Sequence, residues 1–217
     1  MANIKVECQI EMLTLIIDTS TEHSLIAIAN GSIVLSFRRL NENKSLSSNL
    51  LAAIKDLLVK TSITLSDIKN IAIANGPGSF TSLRIGAAIA HSFVFSHSYS
   101  LLCFSSLMSF SPPEKEEEFF SFIDAKRNHV YFLQGERKKE KIIYKASPKK
   151  LSDIEALSLL KAKKICLTPH KETLEKRFSY PMILSLPCPN HLSKICHEKV
   201  KKKEFNSSLK ILYLNEL

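Results

Sequence analysis

The feature that most constrains the fold is an order of strands and helices that occurs twice along the 217-residue chain. Apolar runs and amphipathic stretches in the first half predict the order βββαβαβ, with the first strand ending at Asp18. The second half predicts the same order, with its first strand ending at Asp124. Strands that alternate with helices form layered α/β structures. The pattern predicts two duplicated α/β lobes, and one continuous α/β sheet is the alternative.

The predicted elements follow from hydrophobic periodicity and turn signals. In the first half we predict strands over 13–17, 24–29, 32–37, 71–74 and 100–104, with helices over 45–60 and 81–96. Asn30-Gly31 is a hairpin signal between the second and third strands. In the second half we predict strands over 119–123, 130–134, 141–145, 163–167 and 182–186, with helices starting at a 152–155 capping box and over 171–178 and 191–202.

The duplicated order resembles the actin-like ATPase superfamily, whose lobes have ribonuclease-H-like cores. In that superfamily the Asp after the first strand of each lobe faces a nucleotide phosphate or its metal, which implies that role for Asp18 and Asp124. A shared topology by itself says little about activity. Pro112-Pro113 and the charged run at 114–118 predict a boundary between a lobe of residues 1–110 and a lobe of residues 111–217.

The positive charge is concentrated in the second lobe. The net charge is +9, and residues 111–217 hold 22 Lys and Arg against 14 Asp and Glu. A basic surface can attract a polyanion such as RNA. The alternative is a lysine-rich surface that is simply hydrated and binds no partner. No aromatic residues alternate with these lysines in the sequence to form a stacking platform. A basic tRNA-binding lobe therefore stays one alternative.

The cysteines and the apolar runs indicate a cytoplasmic protein without a metal site. Five cysteines without a C-x-x-C pair do not predict a disulfide framework. Residues 1–11 lack a signal-peptide core, and no apolar run has the length of a membrane span. One cluster has four possible zinc ligands, Cys188, His191, Cys196 and His197. Its spacing matches no common zinc site, so we predict no bound metal.

The glycines mark the most informative segment. Three of the five glycines of the chain lie in GPGSFTSLRIG at 76–86, between a predicted strand and a predicted helix. Glycine permits a positive φ and a close backbone approach, and free amides at a helix start can bind an anion. The segment fits a tight turn that packs the helix on the sheet, with a phosphate or partner contact as the alternative. The weak candidates for nucleotide contact are Asp18, Gly76, Gly78 and Asp124.

Two helices of the first lobe have broad apolar surfaces. The helix over 81–96 is apolar nearly all round, and a helix of this kind must be covered on all sides. Either the chain buries both helices itself, or they pack against a partner as a four-helix interface. The predicted interface residues are Leu46, Leu50, Leu51, Ile54, Leu57, Leu83, Ile85, Ala88 and Ile89. Leu50→Asp or Ile89→Asp is expected to abolish partner association and to leave the monomer folded.

Four segments together resemble the TsaB (YeaZ) family. GPGSFTSLRIG resembles the family signature GPGSFTGLRIG, and residues 12–22 resemble the amino-terminal I-x-A-I-D-T-S/T-T. Residues 104–107 resemble V-S-S-L, and residues 119–132 resemble I-D-A-R-x-G-E-V-Y. The matches run in family order over about residues 12–132. This chain has Lys44 and Ser82 where the family usually has histidine and glycine, and it begins eleven residues before Met12, where members usually begin.

The resemblance implies a non-catalytic subunit of tRNA threonylcarbamoyladenosine synthesis. Such a subunit pairs with TsaD, which modifies the adenosine beside the tRNA anticodon, and joins the ATPase TsaE, with homodimers when TsaD is absent. TsaD-like enzymes carry an H-x-E-G-H metal motif, and the corresponding stretch at 104–112 has no histidine. Neither Asp18 nor Asp124 is followed by the glycine typical of a phosphate site. ATP and metal are therefore expected on the partner subunits, and a stand-alone ATPase is the alternative.

Overall fold

A computed structural model describes residues 12–40, 46–96 and 99–214. The first half contains β1 (Leu13–Asp18), β2 (Ser24–Asn30), β3 (Ile33–Leu40), α1 (Leu46–Thr61), β4 (Asn70–Ala74), α2 (Phe80–Ser96) and β5 (Ser100–Phe104). The second half contains β6 (Glu118–Lys126), β7 (His129–Lys138), β8 (Lys141–Tyr144), β9 (Lys149–Ser152), α3 (Asp153–Leu160), β10 (Ile165–Thr168), α4 (Lys171–Phe178), β11 (Ile183–Leu184) and α5 (Pro189–Lys201). Short 3₁₀ helices cover Leu65–Asp67 and Ser106–Met108.

The two halves form two separate sheets with equivalent strand orders. The first sheet has the order β3-β2-β1-β4-β5, and the second has β11-β10-β6-β7-β8, with β9 also paired to β7. In each sheet the first strand of the half is central, antiparallel to the next strand and parallel to the strand that follows the first helix. The duplicated α/β architecture predicted from the sequence is confirmed, and the single continuous sheet is excluded.

The local signals of the sequence form the structures they predict. Gly31 has a φ of +58° in the turn between β2 and β3. The Ser152 side chain accepts the backbone N–H of Glu155, and Glu155 in return accepts the N–H of Ser152, which is the predicted capping box of α3. Strand β9 was not predicted, because its sequence KKLS has no alternating apolar pattern.

The first sheet is covered on both faces, and the second half of the chain supplies one of the covers. Helices α1 and α2 pack with Leu15 and Ile17 on one face. Helix α5 packs with Ile16 on the opposite face, through Leu192 and Cys196. Alternate residues of a strand point to opposite faces of its sheet, so one strand serves both cores. The boundary at 110/111 stays a prediction, and α5 is an element of 111–217 that completes the first core.

The second sheet also has a core on each face. Helices α3 and α4 cover one face through Ala156 and Leu174, together with Phe122 of β6. The segment that includes Leu107 and Phe110 covers the other face. The loop after β1 contacts His170, which binds the backbone of Asp124 in β6, so the ends of these two strands meet at the junction between the two halves.

Candidate functional site

Asp18 ends β1 as a buried carboxylate whose partners are supplied by this chain. Its Oδ1 accepts hydrogen bonds from the backbone N–H and the hydroxyl of Ser20, at 2.9 Å and 2.6 Å. Its Oδ2 accepts the hydroxyl of Ser109, at 2.5 Å. Burial raises the pKa of Asp18 by more than these hydrogen bonds lower it. The carboxylate is thus enclosed by three donors of the chain.

Asp124 occupies the equivalent place in β6 and is held by two cations. Its Oδ1 accepts the backbone N–H of Lys126 at 3.0 Å and lies 3.0 Å from Nη2 of Arg177. Its Oδ2 lies 2.9 Å from Nζ of Lys126. Burial alone would raise the pKa of Asp124, but the Lys126 hydrogen bonds and the Arg177 charge outweigh it and lower the pKa. The sequence predicted Asp124 but not Arg177, because no local pattern links a residue of α4 to this strand end.

The turn after Asp124 has an unusual backbone. Lys126, Arg127 and Asn128 all have left-handed φ values of 61°, 49° and 59°. Left-handed conformations favour glycine and are tolerated by asparagine, so two of these residues adopt a backbone that L side chains seldom take. The carbonyl of Asn128 accepts the N–H of Asp153, which ties the turn to the start of α3. The turn places the Lys126 ammonium group on the Asp124 carboxylate.

A histidine joins the two halves beside these carboxylates. Nδ1 of His170 accepts the backbone N–H of Asp124 at 3.1 Å, so Nε2 carries the ring proton. Nε2 lies 3.1 Å from the carboxylate of Glu22, which belongs to the loop after β1. The hydrogen bond to His170 is the main reason that the pKa of Glu22 is lowered to about 2. Sequence reasoning missed both residues, although His170 follows β10 at the same sheet edge as Asp124.

The glycine segment is a close packing site between the loop after β1 and helix α2. A Cβ on Gly78 would lie well inside 3.0 Å of the Ser20 carbonyl, and one on Gly86 would meet Oγ1 of Thr19. The N–H of Ser79 donates to the same Ser20 carbonyl at 2.8 Å. The two glycines and the Ser79 amide therefore allow α2 to pack closely against the loop that follows Asp18. This geometry is the tight turn that was predicted for the segment.

The C-terminal tail covers the other side of the glycine segment. Asn75 donates from Nδ2 to the carbonyl of Lys210 at 3.0 Å, and its own carbonyl accepts the N–H of Leu212 at 2.7 Å. Gly76 has a φ of +111°, and a Cβ there would lie 2.9 Å from the Leu212 carbonyl oxygen. The close approach of the tail therefore explains why position 76 is a glycine. Because the tail covers this side of the segment, less of the segment is open to a phosphate.

The predicted interface residues fall into three groups according to their burial. Four of them are buried in the core of the chain itself, so the prediction that they lie at a surface is wrong. They are Leu50, Ile54, Leu57 and Leu83. Three are half-buried, namely Leu46, Ile85 and Ile89. The other two, Leu51 and Ala88, are exposed. Leu50→Asp would place a charge in the core, so the expectation that this variant leaves the monomer folded is wrong.

The remaining sequence candidates have local roles. His191 is buried and its Nε2 lies 2.9 Å from the Tyr144 hydroxyl, while Cys196 packs under the first sheet. Across the described ranges, no three His, Cys, Asp or Glu side chains converge on a possible metal site. The Ser82 carbonyl accepts the hydroxyl of Thr19 at 2.8 Å. Lys44 and residues 1–11 lie outside the described part of the chain.

The fold and the paired carboxylates define a two-lobed α/β protein of the actin-like class. The family model described as TsaD, tRNA N6-adenosine threonylcarbamoyltransferase, matches residues 41–197. Two relatives carry the name tRNA threonylcarbamoyladenosine biosynthesis protein TsaB. The Haemophilus influenzae protein is 31% identical over 132 residues, which is 58% of this chain and 56% of the relative. The Escherichia coli protein is 29% identical over 130 residues, with the same shares. The chain belongs to the TsaD family and, within it, to the TsaB (YeaZ) group, as the four segments predicted.

Solved structures agree with this assignment at the level of the fold. The structure described as YeaZ from Pseudomonas aeruginosa has a TM-score of 0.74 and 21% identity, and covers 94% of this chain and 100% of that one. A structure described as an uncharacterized protein with similarity to peptidase YEAZ, also from Pseudomonas aeruginosa, has a TM-score of 0.77 with the same identity and coverage. The matched part of this chain spans a little over half the length of its curated relatives. In the described part of the chain, no helix has the length and apolarity needed to cross a bilayer.

Proposed function

We propose that this chain is a non-catalytic subunit of tRNA threonylcarbamoyladenosine synthesis in the cytoplasm. In this role it binds a TsaD-type paralogue, works with a TsaE-type ATPase, and supports transfer of the threonylcarbamoyl group to the adenosine beside the anticodon. The observation that carries the proposal is membership of the TsaB group, whose curated members are named for this pathway. The tRNA is reached through the complex.

The state of the two carboxylates supports the absence of catalysis by the chain itself. Lys126 and Arg177 already neutralise Asp124, and the donors of Ser20 and Ser109 already surround Asp18. A metal-bound nucleotide would have to displace the cations from Asp124 and the hydroxyl donors from Asp18 before either carboxylate could coordinate the metal. The residues therefore do not fit a nucleotide site, and no hydrolytic step is assigned to them.

The stretch at 104–112 supports the same conclusion. TsaD-like enzymes hold their metal motif at this place, and this chain has Ser109 there, with its hydroxyl on Asp18. A serine peptidase would need a histidine free to accept the proton of a serine. Both ring nitrogens of His170 are engaged, one by the Asp124 amide and one by Glu22. The proposal therefore assigns neither ATPase nor peptidase chemistry to the junction.

The proposed partner surface is the outer face of α1 and α2. Leu51 and Val59 of α1 are 52% and 71% exposed, and Phe95 of α2 is 95% exposed. Half-buried Ile85 and Ile89 lie between this surface and the core. An apolar surface of this kind on a pair of helices suits packing against two helices of a second chain. The TsaD-type paralogue is the proposed occupant, and a second copy of this chain uses the same face when the paralogue is absent.

Reconstituted tRNA modification tests the proposal. The reaction contains cognate TsaD, TsaE, the threonylcarbamoyl-adenylate synthase, threonine, bicarbonate, ATP and an unmodified tRNA, with or without this chain. We expect modified adenosine only when the chain is present, and no ATP hydrolysis by the chain alone. Equal product without the chain overturns the accessory role, and turnover of ATP by the chain alone overturns the non-catalytic assignment.

A further inference from the structure

A dense lysine cluster ends α5 on the first sheet. Lys199 and Lys201 lie in the last turn, Lys202 is the C-cap, and Lys203 follows with a φ of +56°. Lys199 pairs with Glu204 at 3.2 Å. Lys201, Lys202 and Lys203 are exposed and have no acidic partner within the described ranges. Three unneutralised ammonium groups therefore lie on three successive residues.

An exposed aromatic side chain lies next to this cluster. Phe205 is 43% exposed, and its N–H donates to the Lys203 carbonyl at 2.9 Å. The following residue, Asn206, is anchored to edge strand β5. Its N–H donates to the Leu101 carbonyl at 2.8 Å, and its Oδ1 accepts the N–H of Cys103 at 2.7 Å. Phe205 is thus held between α5 and β5 rather than at the end of a free tail.

The cluster lies on the opposite side of the first sheet from the proposed partner surface. Helix α5 packs on the face that carries Ile16, whereas α1 and α2 pack on the face that carries Leu15 and Ile17. A chain docked on α1 and α2 leaves the end of α5 uncovered. The lysines and a protein partner can therefore be engaged at the same time.

The chemistry of the cluster favours RNA. The helix dipole accounts for cations in the last turn of α5, but it accounts neither for Lys202 and Lys203, which follow the last helical residue, nor for the exposed ring of Phe205. Lysines bind backbone phosphates through charge, and aromatic rings stack on unpaired bases. A cationic run with an adjacent, anchored aromatic ring combines both contacts. Phe205 follows the lysine run and does not alternate with it, so the sequence pattern does not mark it as part of a stacking platform.

We propose that Lys201, Lys202 and Lys203 bind backbone phosphates of the substrate tRNA and that Phe205 stacks on an unpaired base. The proposal rests on the proposed function, because that function brings tRNA to the complex. It assigns the tRNA contact to one end of α5 rather than to the basic half in general.

Salt-dependent tRNA binding by the full chain in complex with TsaD tests the assignment. The test variant is K201E/K202E/K203E, and the probe is an unmodified tRNA transcript. The matched control is K139E/K141E/K149E, which makes the same change in charge on exposed lysines of β8, β9 and the β7–β8 turn, outside α5. Each triple variant changes one lysine with a left-handed φ, Lys203 or Lys139, so their backbone effects are comparable.

We expect the test variant to bind tRNA at least about tenfold more weakly at about 0.1 M salt, because each lost phosphate contact forfeits counterion release. The slope of log K against log salt should become shallower by about 2 to 3. The control variant should stay within about twofold of wild type. Phe205→Ala should weaken binding about fivefold or more and leave the salt slope unchanged.

Three results overturn the assignment. The first is wild-type affinity in the test variant, and the second is an equal loss in both triple variants, which indicates diffuse charge. The third is binding of the lysine cluster to phosphatidylglycerol vesicles without any effect on tRNA. Association with TsaD is measured on the same variants without RNA. If the test variant binds tRNA as wild type does, and TsaD association and tRNA modification are normal, only this site is refuted. If tRNA modification does not depend on the wild-type chain at all, the proposed function is refuted.

Discussion

The carboxylate of Glu22 lies 3.1 Å from Nε2 of His170, although the two residues are 148 positions apart in the chain. The contact joins the loop after β1 to the end of β10. Since Nδ1 of the same ring accepts the Asp124 amide, one histidine links the first half of the chain to the second predicted carboxylate. The junction of the two halves is therefore organised by hydrogen bonds of the chain itself.

Glu22→Gln should remove a pH-dependent part of the stability. The pKa of Glu22 falls from 4.5 to about 2 on folding, so the unfolded chain binds more protons between these values. The contribution of Glu22 is present above pH 4.5 and is lost as the pH falls towards 2. Since Glu22 is 33% exposed, solvent screening limits it to about 0.5 to 1 kcal/mol. Urea unfolding at about pH 5 and about pH 3 measures the effect.

The matched control for this experiment is Glu172→Gln, which removes an exposed carboxylate of α4 and leaves the Glu22–His170 contact intact. The stability difference between wild type and Glu22→Gln should shrink as the pH is lowered. A difference that stays constant over this range would show that the contact does not lower the pKa of Glu22.

Gly78→Ala should destabilise the fold strongly. The added Cβ would press on the Ser20 carbonyl, which already accepts the Ser79 amide and cannot move without opening that bond. We expect a loss of about 3 kcal/mol. Gly86→Ala should cost less, about 1 to 2 kcal/mol, because it meets the Thr19 side chain rather than backbone. Denaturant unfolding of both variants checks the order, and a reversed order would contradict the packing described here.

Arg177→Ala should destabilise the chain more than Lys126→Ala. Arg177 is 22% exposed and pairs with a carboxylate whose side chain is 1% exposed. Its removal leaves buried charge poorly compensated, at a cost of about 2 to 4 kcal/mol. The Lys126 side chain is 76% exposed, so its removal should cost no more than about 1 kcal/mol. Thermal and urea unfolding measure both costs, and equal costs would contradict the expected order of the two variants.

Asn206→Ala should loosen the tail at β5. The variant loses the acceptor of the Cys103 N–H, at a cost of about 1 to 1.5 kcal/mol. Hydrogen exchange of the Cys103 amide should become faster, and Asn206→Asp should restore protection because it keeps an acceptor oxygen. Unchanged exchange in the alanine variant would mean that this side chain does not anchor the tail.

Leu51→Asp should weaken association with TsaD and leave the fold intact, because Leu51 is exposed on the proposed partner face. We expect at least about a tenfold loss of affinity from an unpaired charge in an apolar interface. Leu50→Asp, one residue away, should unfold the chain, since its side chain is fully buried. Ile154→Asp, at an exposed residue of α3, is the control for the same change elsewhere. Wild-type affinity of Leu51→Asp by calorimetry would remove this residue from the interface.

The order of the elements and the position of the carboxylates could be predicted because they depend on local signals. Alternating apolar residues, the Asn30-Gly31 turn and the Ser152 capping box act over a few residues. Gly78 and Gly86 could likewise be recognised as packing positions, although their contacts, Ser20 and Thr19, could not.

Interface residues were harder to predict because α1 and α2 have broad apolar surfaces. Helical periodicity groups residues by face, but it does not tell which part of a broad apolar arc meets the sheet. Leu50 and Leu51 are chemically identical and adjacent, and only the packing of α1 against the first sheet buries the first and exposes the second.

By itself, the sequence determined the duplicated α/β order, the aspartates at the end of β1 and near the end of β6, and the family. Tertiary structure alone decided what surrounds those aspartates: Ser109 on Asp18, Arg177 on Asp124, and His170 between Asp124 and Glu22. It also decided that α5 and the C-terminal tail return to the first sheet. The physical reason is range, since propensity and periodicity act between neighbours, whereas these partners meet only when distant segments pack together.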